Sequence, residues 1–309
     1  MSLLYYISTF VFVVYAFLHL SWKWWKRKYN FLPHAPNVPW LGTIPYLGKT
    51  TRDSTVKVAS FGKVYDHFYL LWLGPMAAVR IGRADFAETL LRGQEPGQKT
   101  ALYFPAVPWL KDGIILSKGK KWKQRRTALT PAFHFALLKD FVDTFEDHAK
   151  HLVKELSKSV HNGEPVEVQE LTSLSTLDVI CATSMGVEMN SVGSPDTEHL
   201  SVVKNVKIFK EMMLSRMLNP ILFIDFIYKL TSNGKTFYKA VDELNNFCVD
   251  VINQRIRSRK SLQCSDEECL GGGGRKKRVL MDTLLDLYDQ GGIDIDGIQE
   301  EINTFMFAG

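Results

Sequence analysis

The chain has 309 residues, 46% of them hydrophobic, and a formal net charge of +5. That is enough apolar material for a large buried core, and it excludes an intrinsically disordered protein. The charge gathers at residues 23–28, 118–126 and 275–278 and forms no continuous basic face, which suits anionic lipid and an acidic protein partner and argues against nucleic acid.

From Met1 to Trp22 there is no Asp, Glu, Lys or Arg, and Leu3 to Leu20 is almost wholly apolar or aromatic. At about 1.5 Å per residue such a helix just crosses a hydrocarbon layer of roughly 30 Å. The run Trp22-Lys-Trp-Trp-Lys-Arg-Lys-Tyr29 comes next, with rings suited to the headgroup layer and cations that favour the cytosolic side. Because the charges come after the apolar run and no small-residue cleavage pattern is evident, an anchor at 1–22 is expected in place of a cleaved signal. Between Pro33 and Gly48, Pro33, Pro36, Pro39 and Pro45 fix φ and remove backbone donors. Residues 23–48 therefore read as a basic juxtamembrane run and a stiff, extended spacer that orients the globular part above the membrane.

Residues 51–62 look helical, Phe68–Leu73 and Ala77–Ile81 read as two strands around Gly74-Pro75, and 85–91 as a short helix. A loop rich in glycine, proline and aromatics covers 93–116. Helical periodicity then holds over 117–129, 136–158, 170–186, 198–217, 236–259 and 279–289. The fold class is mainly α with a small β-sheet.

The helix at 117–129 carries the strongest local signal. Trp122 and Arg126 stand four apart, which places an indole N–H and a guanidinium on one helix face, able to grip one anion. Ser117 reads as its N-cap, yet Lys118, Lys120, Lys121 and Lys123 crowd the positive end of the dipole, so something acidic is expected beside it. The bland alternative is an exposed basic helix anchored by one packed Trp.

Other features are weaker. His148 and His151 have the spacing of a metal pair but lack an obvious third ligand. Met212–Tyr228 is apolar and pliable, interrupted by Arg216 and Asp225, and reads either as core packing or as a lid over a greasy cavity touching the membrane. Residues 258–278, with a four-glycine run and Arg275-Lys-Lys-Arg278, read as a flexible loop. Cys181, Cys248, Cys264 and Cys269 show no disulfide-framework spacing and suit a reducing cytosol. No Walker loop, G-x-G-x-x-G, H-E-x-x-H or G-x-S-x-G occurs. The C-terminal helix from Ile298 grows more apolar until it stops. Phe305, Met306 and Phe307 would be left without partners, as in a cut inside a buried helix.

These features in this order resemble cytochrome P-450 monooxygenases of the microsomal family 4 type. The stretches that carry the resemblance are the anchor with its proline hinge, Trp122-x-x-x-Arg126 running into Leu129-Thr-Pro-Ala-Phe-His-Phe135, Leu177–Gly186, Asp225–Thr231 and Glu300–Gly309. The resemblance implies the N-terminal part of the cytochrome P-450 fold, with 49–309 a partial haem-thiolate domain behind a single transmembrane helix. It implies haem b, held non-covalently in a site complete only with a missing C-terminal part, with Trp122 and Arg126 bonding a propionate. Lys123 and Arg125 would face an acidic NADPH-dependent cytochrome P-450 reductase, and Ala308 and Gly309 would begin the oxygen-binding groove.

It also implies a membrane-bound monooxygenase of the endoplasmic reticulum, single-pass, with its main domain cytosolic. Membrane lipid and a small lipophilic substrate such as a fatty acid, a hormone-like lipid or a xenobiotic are the further partners. Departures from the pattern bear on activity. The acid-threonine pair, the Glu-x-x-Arg pair and the loop with the iron-ligand cysteine are absent, so no metal ligand is expected here. A thiolate is what drives O–O cleavage in such enzymes. Ala308 stands where many relatives carry a glutamate that bonds haem covalently, and Ala182 also replaces a frequent glutamate. The expectation is thus an incomplete form of the enzyme, the alternative a catalytically inactive, truncated, membrane-tethered helical protein.

Overall fold

The structure is a computed structural model that describes residues 2–48, 50–66, 68–93, 99–133, 135–163, 165–193, 197–217, 219–266 and 279–309. In chain order the elements are α1 (Ser2–Arg27), α2 (Thr51–Val64), β1 (Phe68–Leu73), β2 (Met76–Ile81), α3 (Ala84–Leu91), α4 (Val107–Leu110), α5 (Gly119–Leu129) and α6 (Phe135–Asp140). They continue as α7 (Val142–Asn162), α8 (Val168–Ile180), α9 (Thr197–Met217), α10 (Asp225–Leu230), α11 (Ser232–Asp266), α12 (Leu280–Asp289) and α13 (Ile295–Ala308). The chain is mainly helical with a single antiparallel hairpin among the described residues, as expected. It falls into two compact units, Met1–Gly97 with Met213–Tyr228, and Gln98–Met212 with Lys229–Gly309.

In the first unit, α1 takes up both the apolar run and the basic run behind it. By length and composition it is able to cross a membrane. Strand β1 buries Tyr69, Leu70, Leu71 and Trp72, so it reads as a continuous apolar run because both of its faces are covered. Tyr69 and Leu71 meet Val58, Phe61 and Tyr65 from α2 and the turn behind it, while Leu70 and Trp72 meet Trp22, Tyr29 and Trp40. Helix α2 begins at a reciprocal cap. Thr50 Oγ1 accepts the Asp53 N–H at 3.1 Å, and the Asp53 carboxylate accepts the Thr50 N–H at 3.2 Å.

The proline-rich segment departs from expectation. It is not a free extended spacer but a ragged edge laid on β1. The Ala35 N–H donates to the Leu70 carbonyl at 3.0 Å, and the Leu70 N–H to the Pro33 carbonyl at 2.8 Å. The prolines sit where no donor is needed, which an edge allows and a sheet interior does not. Gly42, at φ 63°, presses so close to the Trp72 backbone that a Cβ there would overlap it.

Met213–Tyr228 closes on itself. Arg216, fully buried, donates to the Leu222 carbonyl at 2.6 Å and to Asp225 Oδ1 at 2.9 Å, with its guanidinium 4.3 Å from the Tyr228 ring centre. The two charges that interrupt the apolar stretch are therefore partners.

In the second unit α13 is the central rod. Gly297, Ile298, Gln299, Glu301, Ile302, Asn303, Thr304 and Met306 are all buried on it. Asp294 caps it by accepting the Gly297 N–H at 2.8 Å. Asn303 donates to the Trp109 carbonyl at 2.9 Å and to Asn245 Oδ1 at 3.0 Å, which ties α13 to α4 and α11. Contrary to the expectation of stranded aromatics, Phe305 meets Phe133 at 5.7 Å and Phe307 meets Trp109 and Phe209 at 6.0 and 5.9 Å, while Met306 is wholly buried.

Element boundaries depart from periodicity in three further places. The expected helix at 136–158 is broken at Phe141, whose N–H turns back to the Leu138 carbonyl. The expected helix at 170–186 ends in a π-helical turn, Cys181–Met185. Helix α11 runs on to Asp266, into the expected flexible loop; the four glycines and Arg275-Lys-Lys-Arg278 lie outside the described residues.

Candidate functional site

The basic helix α5 starts at Gly119 with Lys118 at its cap and no side-chain bond there; Ser117, the expected cap, is buried instead. The acid that its crowded positive end asked for comes from the protein itself. Lys121 Nζ lies 2.8 Å from Asp112 Oδ2 and 3.0 Å from Glu300 Oε2, and Arg125 Nη2 lies 3.6 Å from that same Glu300 oxygen. Beyond Glu300, Glu301 is fully buried. Its Oε2 accepts the Ile114 N–H at 3.1 Å, and its Oε1 stands 3.9 Å from Arg125 Nε without a hydrogen bond. Burial pushes the Glu301 carboxyl up to about 7, against the Ile114 N–H and the Arg125 charge, which pull it down.

Arg125 therefore turns inward, with only 14% of its side chain exposed, and does not form an outward basic face with Lys123 as expected. Only Lys123 of that pair is exposed. The reason is the helix period: 121 and 125 form one stripe, and the α13 carboxylates claim it.

On the neighbouring stripe Trp122 is half-buried and Arg126 exposed. Among the described residues Arg126 has no carboxylate partner. It stands on the wall of a cavity of about 300 Å³ lined by Ile114, Leu129, Thr130, Phe133 and Phe305. Trp122, one turn earlier, does not line that cavity. An apolar wall with one unclaimed guanidinium at its edge, and an indole N–H a turn away, suits a flat apolar group that carries a carboxylate. The chemistry of the donor set thus fits the edge of a porphyrin.

At the other end of α13, Ala308 is exposed and Gly309 half-buried. Gly309 lies so close to Ile180 that a Cβ would overlap that side chain. It also borders a cavity of about 540 Å³ shared with Leu174, Leu177, Val203, Val206 and Lys210. Among the thiols, Cys181 and Cys248 are fully buried, and burial pushes both up, Cys248 to about 12. Neither lines the Arg126 cavity. His148 is buried with Nε2 3.5 Å from Glu188, and the His151 ring lies 6.3 Å from it. No group of residues suited to a metal ion occurs among the described residues.

Sequence reading finds Trp122, Arg126 and the need for an acid, but it assigns the acid to a ligand and overlooks Asp112, Glu300 and Glu301. The adjacent carboxylates at 300 and 301, flanked by the buried Ile298 and Ile302, are the signal that could have found them.

A family model for cytochrome P450 matches residues 32–309. The chain is 33% identical to cytochrome P450 4c21 of Blattella germanica over 92% of its own length and 56% of that protein. It is 30% identical to cytochrome P450 4d1 of Drosophila melanogaster, covering 98% of this chain and 60% of that protein. With cytochrome P450 4V2 of Homo sapiens the identity is 31%, over 92% and 55%. The chain thus spans just over half the length of the curated relatives it matches.

Proposed function

The chain belongs to the cytochrome P450 family, and we propose that it serves a haem-dependent monooxygenase anchored in the endoplasmic reticulum membrane by a single pass of α1. Haem, when bound, supplies the chemistry: activation of dioxygen and insertion of one of its atoms into a lipophilic substrate, with electrons from a reductase. The protein's share is to hold and orient. Arg126, at the edge of the apolar cavity, would hold a propionate as a charge-assisted acceptor, and the Trp122 indole N–H, one turn earlier, would supply the second donor. Leu129, Phe133 and Phe305, on the apolar wall of that cavity, would exclude water from a bound ring. Lys123, with Lys118 and Lys120, forms the exposed basic edge for an acidic reductase. Fatty acids, hormone-like lipids and xenobiotics are the substrate classes proposed.

The observation that carries this reading is the unclaimed Arg126 guanidinium on an apolar cavity, beside a stripe whose own cations are all neutralised. Haemin titrated into the detergent-solubilised chain tests it. Saturable uptake is expected, weakened about tenfold or more in the Trp122→Ala plus Arg126→Ala variant, by analogy with the loss of supporting ligands at metal centres. Equal uptake by the double variant overturns the assignment.

A second reading, a membrane-tethered helical protein without oxygenase activity, is favoured by the state of the described thiols. Cys181 and Cys248 are buried away from the Arg126 cavity, with pKa values too high for a thiolate at neutral pH. The carbon-monoxide difference spectrum separates the readings. A thiolate-ligated signal once the chain is joined to the cysteine-bearing C-terminal part of a family relative supports the first, and its absence from that fusion when haem-loaded supports the second.

A further inference from the structure

Helix α5 presents two cation-bearing stripes one residue apart: Lys121 with Arg125, and Trp122 with Arg126. A turn of about 100° about the helix axis would exchange them, since neighbouring residues are offset by that angle. Either stripe bears a guanidinium able to meet the carboxylates of α13, so helix periodicity alone does not choose between them.

The geometry points to Glu300 and Glu301 as positioning residues that select the 121/125 stripe for α13 and so leave Arg126, on the neighbouring stripe, at the cavity wall. Glu300 reaches both cations of the chosen stripe, at 3.0 and 3.6 Å. Glu301, fully buried, faces Arg125 and at the same time accepts the Ile114 N–H, which holds the stretch of chain leading into α5. Two glycines make the seat specific. A Cβ at Gly297 would overlap the Arg125 guanidinium, so α13 is hollowed where that side chain lies. A Cβ at Gly113 would come within 2.6 Å of the Glu300 carbonyl oxygen, so the loop before α5 rests directly on the α13 backbone. A buried carboxylate such as Glu301 costs stability, and excluding the alternative stripe is the compensating role proposed for it here.

The role of Trp122 and Arg126 toward haem rests on the function proposed above; the stripe selection does not. The two are therefore read separately on the detergent-solubilised chain, by hydroxyl-radical footprinting of Trp122 and by haemin titration. Neutralising both carboxylates, Glu300→Gln with Glu301→Gln, keeps their shape and the acceptor for Ile114. We expect the Trp122 oxidation rate to change at least about twofold and haemin to bind about tenfold more weakly, as when a supporting contact behind a ligand is lost. Aspartate at both positions, which keeps the charges, is expected to bring both values back toward wild type. Lys121→Gln with Arg125→Gln breaks the same contacts from α5 and answers the question if the first variant does not fold. A Trp122 oxidation rate that stays at the wild-type value in these variants overturns the positioning role, whatever haemin does. A wild-type chain that takes up no haemin overturns the Trp122 and Arg126 haem assignment in this chain, and the footprint alone then decides the stripe selection.

Discussion

Glu301 stores a pH dependence that its burial makes calculable. Its carboxyl, near 4.5 in an unfolded chain, stands at about 7 in the fold, so folding favours the protonated form. The stabilisation is complete below about pH 4.5 and is lost as pH rises through 7, amounting to on the order of 3 kcal/mol. Glu301→Gln, held neutral, should flatten the melting-temperature profile across that window and melt above wild type on its alkaline side; a profile with the wild-type slope would contradict the burial argument. Arg216 presents the opposite case, a buried cation that leans on Asp225, itself about a third exposed. Asp225→Ala should cost about 2 kcal/mol in urea unfolding, below the usual figure for a buried pair because water reaches the carboxylate. Cys181 and Cys248 should both resist iodoacetamide in the native chain and react once it is unfolded, since burial withholds both access and the thiolate.

At the scale of elements, most of the architecture is legible in the sequence because it comes from periodicity. The hairpin at 68–81 and the helices at 51–64, 197–217 and 280–289 lie within a few residues of expectation. The features that escape depend on contacts between elements. Phe141 breaks a helix by one tight turn that no glycine or proline announces. The α5 charges do need an acid, but a single sequence does not say which of two stripes meets which carboxylate from a helix some 180 residues on. The close approach at Gly113 is equally invisible, because a glycine in a loop looks like a turn until the neighbour is known. Gly113→Ala, at a position buried against α13, should therefore cost about 2 kcal/mol by thermal unfolding, because the Thr304 hydroxyl and the α13 backbone must move to admit a methyl group. A melting temperature equal to wild type would mean that the loop can lift off α13 freely.

For the molecule as a whole, the question is how the long apolar helix α1 is joined to the hairpin, and the first unit answers it with indoles. Trp22, on α1, is 3% exposed and meets the Trp72 ring at 4.8 Å, with Tyr29 at 5.7 Å from Trp72 on the same side. The Trp25 indole donates to the Pro75 carbonyl at 3.1 Å, and the Trp40 indole to the Leu18 carbonyl at 2.7 Å. The end of α1 is therefore part of the hairpin's core and not a swivel, and the proline segment, expected to act as a stiff spacer, is the strap that closes over it. A chain beginning at Leu18 retains Trp22, Trp25 and the Leu18 carbonyl, whereas one beginning at Asn30 exposes Leu70 and Trp72. Burial of a large aromatic contributes about 3 kcal/mol, so the shorter chain should lose about that much in the unfolding of the hairpin unit. Were the two chains to show the same urea midpoint for Trp fluorescence, the aromatic contacts would be incidental and α1 would be free to pivot on its loop.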